Sequence, residues 1–171
     1  MIDTIYLDMD GVLADFDKRY TELFGAQPDL IKKKNWNENW NTFVKGGNFR
    51  VLDWYPRAEE FLRGIEDLVE EYYDENVIWI NVEILSSSGG EEMYEDISNQ
   101  KKQWLLNRGI LYRANIVPGK RFKSEYASTH SILIDDTESV IEDFNNAGGN
   151  ALLYTGNVEK TLSDLRDLLF T

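Results

Sequence analysis

The chain has 171 residues, of which 42% are hydrophobic and 13% aromatic, as in a globular domain with a sizeable core. It contains no cysteine, which excludes disulfides and thiolate metal sites. Asp and Glu outnumber Lys and Arg by 31 to 18, and a net charge of −13 is unsuited to binding duplex nucleic acid. No apolar run approaches the roughly 20 residues of a membrane span, and the first residues lack a signal-peptide pattern. We therefore predict a soluble, cytoplasmic protein without polynucleotide or membrane partners.

The first third of the chain combines a strand, an irregular segment and a helix. Residues 2–7 are apolar and β-favouring, and predict a strand. Residues 16–54 have helix-like pieces separated by Pro, Gly and Asn-rich stretches, and we interpret them as a small helical insertion. Pro56 then begins a helix, because apolar residues recur at spacings of three and four over 58–72.

Strands and helices alternate over the rest of the chain. We predict strands at 77–85, 111–117, 131–134 and 151–154, and helices at 94–108, 140–147 and 158–169. Such alternation is typical of a mostly parallel sheet covered by helices. The sequence therefore predicts an α/β protein with a Rossmann-like parallel sheet. Residues 1–15 and 55–171 would form its core, and 16–54 would be inserted after the first strand.

Polar side chains follow three of these strands. Asp8 and Asp10 come after the first strand, Ser86 after the second, and Asp135 and Asp136 after the fourth. Ligands of open parallel sheets bind beyond the carboxyl ends of the strands. Four carboxylates in one crevice would repel each other, so they would raise each other's pKa or require a cation. An all-oxygen site without Cys or a His cluster suits Mg²⁺.

Each acidic pair also has a plainer explanation. Asp10 before Gly11 is common turn chemistry, and Asp135-Asp136 before a helix would serve as an N-cap. Ser86 would then belong to an ordinary serine-rich turn. The placement of acids at two strand ends and a hydroxyl at a third favours a shared site over three separate turns.

These residues also resemble the motifs of a known family. The run YLDMDGVLADF at 6–16 resembles the first motif of the haloacid dehalogenase superfamily, which begins Asp-x-Asp-Gly. Leu85-Ser86 resembles its second motif, and Ile134-Asp135-Asp136 its fourth. The resemblance is closer still to the 5'(3')-deoxyribonucleotidases, through GGNFRVLDWYPRAEEFL and KKQWL, and it spans nearly the whole chain.

The resemblance implies a phosphatase that acts through an aspartyl-phosphate. Asp8 would be the nucleophile, and Asp10 would protonate the leaving group and later activate water. Two carboxylates are needed because the nucleophile must be ionised while the acid holds a proton. Asp8, Asp135 and the backbone carbonyl of Asp10 would hold Mg²⁺, with Asp136 close by or acting through a water. Residues 16–54 would be the small helical cap of this branch.

The resemblance also implies a lysine that contacts phosphate, and three lysines compete for this role. Helical periodicity turns Lys101 toward the apolar face of its predicted helix and Lys102 about 100° away from it. A lysine at the edge of that face could also extend to solvent. Lys123 lies in GKRFK, which resembles an Arg-x-Lys motif of the family, but this loop would equally suit a solvated basic surface. Lys120 of the same loop is a third candidate.

Further side chains are assigned to substrate by the resemblance. Ser86 and Ser87 would donate hydrogen bonds to phosphate oxygens. Phe16 matches an aromatic residue that packs against the nucleobase, and Phe49 matches a second one. Arg121 would reach the substrate.

We therefore predict a Mg²⁺-dependent phosphomonoesterase whose substrate is a small phosphate monoester, a deoxyribonucleoside 5'(3')-monophosphate. The alternatives are a phosphatase for another small phosphate, such as a sugar phosphate, and a non-catalytic nucleotide-binding protein. The aromatic-rich insertion favours a nucleotide, because bases stack on aromatic rings. The presence of both Asp8 and Asp10 favours catalysis over binding alone. The sequence does not set the oligomeric state, and a homodimer is compatible with it.

Overall fold

A five-stranded, all-parallel sheet with the strand order β3-β2-β1-β4-β5 forms the centre of the protein. The computed structural model describes residues 1–28 and 35–171. The strands are β1 (Thr4–Leu7), β2 (Asn81–Ser87), β3 (Ala114–Val117), β4 (Ser131–Asp135) and β5 (Asn150–Leu153). The predicted α/β fold with a parallel sheet is confirmed.

Helices connect the strands and cover the sheet. The described α-helices are α1 (Phe16–Phe24), α2 (Trp36–Lys45), α3 (Ala58–Asn76), α4 (Tyr94–Asn107), α5 (Glu138–Asn146) and α6 (Val158–Phe170). Two short 3₁₀ helices lie at Asn48–Val51 and Lys120–Tyr126. Within residues 1–28 and 35–171, no helix is both long and apolar enough to cross a membrane.

The register of the three central strands places their carboxyl ends side by side. Leu7 at the end of β1 pairs with Ile84 of β2 on one side and with Ile134 of β4 on the other. All three side chains are completely buried, which fixes this register through the core. The residues that follow therefore emerge at one edge of the sheet.

The second strand begins later than predicted. The prediction was 77–85, whereas β2 is Asn81–Ser87. Val77 instead ends α3 in a left-handed conformation (φ 56°), and its N–H donates to the carbonyl of Tyr73 at 2.7 Å. The apolar residues that follow connect the helix to the strand, and Trp79 among them is 57% exposed.

The described part of the predicted insertion is helical and packs on the main core. Residues 29–34 of the 16–54 segment lie outside the described residues. Tyr20 and Phe43 are completely buried and belong to the same apolar cluster as the sheet residues. The division into a core and a separate cap domain stays a prediction.

We expect Leu165→Ala to lower the free energy of unfolding by about 2–5 kcal/mol, because it leaves a cavity between α6 and the core. Leu165 is completely buried, and α6 packs against α3. The same substitution at Leu106, which is 59% exposed on α4, should change it by less than about 0.5 kcal/mol. Urea unfolding of both variants measures the difference, and equal losses would contradict this packing.

Candidate active site

The turn after β1 carries the two aspartates of the first motif. The N–H of Asp8 donates to the carbonyl of Ile134 at 3.0 Å and so extends the pairing of β1 with β4 by one residue. The carbonyl of Met9 then accepts hydrogen bonds from the N–H groups of residues 12–14, at 2.8–3.1 Å. This tight turn keeps Asp10 next to the strand end, so that both carboxylates line the same crevice.

Lys123 forms a buried ion pair with two of the predicted site residues. Its Nζ donates to Oδ1 of Asp8 at 3.0 Å and to Oδ2 of Asp135 at 2.7 Å. Asp8 is 6%, Lys123 3% and Asp135 0% exposed. Burial and the charge of Asp135 raise the pKa of Asp8 well above its ordinary value, although Lys123 opposes this shift. Burial would lower the pKa of Lys123, but the two carboxylates more than offset it, and that pKa is raised.

Lys101 lies on α4, behind the wall of the crevice, and pairs with the other aspartate. Its Nζ donates to Oδ2 of Asp10 at 2.9 Å, to Oγ of Ser86 at 2.8 Å and to the carbonyl of Ser87 at 2.8 Å. The side chain is buried, and Nζ lies 5.1 Å from the ring centroid of Phe49. Lys101 and Lys123 therefore both contact predicted site residues, and each forms an ion pair with a different aspartate of the first motif.

Three carboxylates form a group that could hold a metal ion. Oxygens of Asp8, Asp135 and Asp136 lie within 4.8 Å of one another. Asp136 is the exposed member of this group. The protein packed around it, together with the charges of Asp135 and Asp10, still raises its pKa to about 6. Such repulsion and an all-oxygen donor set fit a hard cation such as Mg²⁺. The side chain of Asp10 is outside this group because it pairs with Lys101, which leaves its backbone carbonyl as the donor implied by the resemblance.

Gly11 allows Asp136 to approach the turn after β1. A Cβ on Gly11 would lie 1.9 Å from Oδ2 of Asp136, and the φ of Gly11 is +81°. Any side chain at this position would displace the carboxylate of Asp136. It would also have to adopt the left-handed backbone conformation, which is costly for residues other than glycine. The glycine of the first motif therefore leaves room for Asp136 within the group of carboxylates that could hold a metal ion.

The crevice has a volume of about 870 Å³ and is bounded by aromatic side chains. Phe16 and Trp40 line it and are half-buried. Phe49 also lines it but is only 2% exposed, since its ring stacks on Phe16 with centroids 5.6 Å apart. Arg121 lies exposed at its edge, with its guanidinium over the ring of Phe122. Phe16 therefore offers the accessible aromatic surface, and Phe49 supports it.

Gln100 was not predicted to contribute to the site. It is 2% exposed, accepts a hydrogen bond from the N–H of Phe49 at 3.1 Å and donates to the carbonyl of Val44 at 2.7 Å. It thus ties the end of α2 and the first 3₁₀ helix to α4. The sequence spacing does indicate that Gln100 faces inward. It lies three residues after Ile97 and four before Trp104, both of which are buried, and so shares their face of the helix.

Comparison with known proteins supports the fold. A HAD-superfamily hydrolase from Ehrlichia chaffeensis superposes with a TM-score of 0.51 at 14% identity over 99% of each chain. A hydrolase from Streptococcus pneumoniae TIGR4 gives 0.48 at 16% identity, also over 99% of each chain. No family model and no curated protein matches the sequence. The likeness to the Ehrlichia protein shows a shared Rossmann-like core, and the resemblance to deoxyribonucleotidases stays a prediction.

We expect excess Mg²⁺ to raise the thermal unfolding midpoint over that in EDTA by about 5–10 °C, if Mg²⁺ is near 100 times its Kd. Asp136→Asn should raise the midpoint in EDTA, since it removes one of the repelling charges, and should shrink the Mg²⁺-induced shift. Asp74→Asn removes the same charge from an exposed position on α3 and should leave the Mg²⁺ shift intact. Differential scanning calorimetry measures all three, and an undiminished shift in Asp136→Asn would rule out this ligand.

Gly11→Ala should shrink the Mg²⁺-induced shift, because the new Cβ displaces Asp136. Gly25→Ala is the matched control: its φ is +75°, and its Cβ would meet nothing within 4 Å. Both variants should lose roughly 1–2 kcal/mol from the left-handed backbone, but only Gly11→Ala should show a smaller response to Mg²⁺. A full response in Gly11→Ala would show that Asp136 is not needed for metal binding.

Proposed function

We propose that the protein is a Mg²⁺-dependent phosphomonoesterase that hydrolyses deoxyribonucleoside 5'(3')-monophosphates. The observation that carries this proposal is the pairing of Asp8 and Asp10 with two different buried lysines in one crevice. Two carboxylates with different partners are suited to two different roles, one as nucleophile and one as acid. The shared fold with a named hydrolase supports the same reaction class.

Asp8 is the nucleophile in the proposed reaction. Its carboxylate oxygen bonds to phosphorus while the ester P–O bond breaks, and Asp10 gives its proton to the leaving alcohol. Asp10 then takes a proton from water, whose oxygen bonds to phosphorus while the Asp8–phosphorus bond breaks. Phosphate and the original Asp8 carboxylate are released. Bound Mg²⁺ would supply the positive charge that offsets the carboxylates and the phosphate dianion.

Lys123 and Ser86 are placed to bind the phosphate. The ammonium of Lys123 has three N–H donors, and two of them bond to Asp8 and Asp135. The third is available for a phosphate oxygen. Ser86 accepts a hydrogen bond from Lys101, so its own hydroxyl hydrogen can be donated to the substrate.

The crevice favours a nucleotide over a sugar phosphate. Its volume of about 870 Å³ is in the range of small-molecule sites. Phe16 and Trp40 offer apolar aromatic surface at its wall, on which a base could stack. Arg121 and Lys120 line its edge and complement a phosphate. A polynucleotide is disfavoured because the net charge of −13 repels it.

Purified protein should release phosphate from dUMP or dTMP in Mg²⁺ but not in EDTA. Asp8→Asn should lower kcat by roughly 10⁴-fold or more, because the nucleophile is lost. Asp74→Asn, far from the crevice, should keep full activity. Phosphate release is measured for deoxy- and ribonucleoside 5'- and 3'-monophosphates and for several sugar phosphates.

The substrate panel separates the alternatives. Turnover of sugar phosphates alone would retain the mechanism and reject the nucleotide. Binding of a nucleotide without release of phosphate from any substrate would reject catalysis.

A further inference from the structure

We propose that Lys101 is a positioning residue for the general acid Asp10, and that it does not bind the phosphate. Its hydrogen bond to one oxygen of Asp10 fixes the orientation of the carboxyl group that delivers the proton to the leaving group. This inference rests on the proposed function and assigns a separate role to each buried lysine.

The hydrogen bonds of Lys101 leave no donor for a substrate. An ammonium group has three N–H donors and no acceptor. Those of Lys101 are taken by Oδ2 of Asp10, Oγ of Ser86 and the carbonyl of Ser87, all at 2.8–2.9 Å. Lys101 is 1% exposed and is absent from the lining of the crevice, whereas Lys123 lines it and uses only two donors on protein acceptors.

Asp10 borders the crevice, so the orientation of its carboxyl group matters to a substrate. Its side chain is 32% exposed, whereas that of Lys101 is 2% exposed. Oδ2 of Asp10 accepts a hydrogen bond from Lys101, while Oδ1 has no hydrogen-bond partner among the described residues. The bond from Lys101 is therefore the contact that holds this carboxyl group, and a general acid must be held in place toward the leaving group.

The position of Lys101 is itself fixed from two sides. Gln100, its neighbour on α4, bonds to the backbone of Phe49 and Val44. The ring of Phe49 lies 5.1 Å from Nζ of Lys101. The long lysine side chain is therefore ordered before any substrate arrives, and Asp10 with it.

A positioning role predicts a dependence on the leaving group. A nucleoside alkoxide is a poor leaving group and needs the proton, whereas 4-nitrophenolate leaves readily without one. Lys101→Met should thus lower the rate of the first turnover, in which the leaving group departs and the aspartyl-phosphate forms, by about 100-fold or more for dUMP or dTMP and by less than about tenfold for 4-nitrophenyl phosphate. The KM values and the inhibition constant of inorganic phosphate should stay unchanged, since no phosphate contact is lost.

Lys102→Met is the matched control, because Lys102 is the exposed neighbour on α4, and it should behave as wild type. Asp10→Asn should show the same leaving-group dependence as Lys101→Met. Adding Lys101→Met to Asp10→Asn should cause no further loss, since the lysine acts through the aspartate. Lys101→Gln replaces Lys101→Met if circular dichroism shows that the methionine variant is unfolded.

Two outcomes would overturn the positioning role alone. Equal losses on both substrates with a raised inhibition constant for phosphate would make Lys101 a phosphate ligand. Additive losses in the double variant would separate Lys101 from Asp10. Wild-type protein that releases phosphate from neither substrate would instead overturn the proposed function, and this role with it.

Discussion

The ammonium group of Lys123 between Asp8 and Asp135 is the interaction on which the site depends. Burying an isolated charge is costly, and removing one partner of a buried pair leaves the other uncompensated. Here three charged side chains are buried together with one negative charge in excess. Burial, together with the charge of Asp135, raises the pKa of Asp8. The excess negative charge is also suited to binding a cation. These groups are brought together by the strand register, the turn after β1 and the second 3₁₀ helix.

A second buried lysine, Lys101, allows two aspartates that are close in sequence to behave differently. Asp8 and Asp10 are separated by one residue, yet Asp8 pairs with a lysine from a 3₁₀ helix and Asp10 with a lysine from α4. Their environments also differ, since the side chain of Asp8 is 9% and that of Asp10 32% exposed. In enzymes that use two carboxylates, different surroundings commonly make one of them the nucleophile and the other the acid.

The sequence predicted the sheet and the acidic residues at its edge, because alternation, periodicity and strand ends are local signals. The same periodicity correctly turned Lys101 inward and Lys102 outward. It could not place Lys123, since a short 3₁₀ helix has no long apolar face and its partner Asp8 lies 115 residues away. The predicted start of β2 was wrong for a related reason. The left-handed end of α3 at Val77 depends on a backbone hydrogen bond, which the apolar pattern of the sequence does not indicate.

The parallel sheet also sets an order of events during synthesis of the chain. β1 occupies the middle of the sheet, and both of its neighbours are encoded far downstream. At about 5–20 residues per second, roughly 6–23 s pass between translation of Asp8 and of Lys123, 115 residues later. β2 becomes available to pair with β1 only late in that interval, and β4, the other neighbour of β1, follows after it. The central strand is thus made first, and its pairing on both sides is complete only after β4 has been translated.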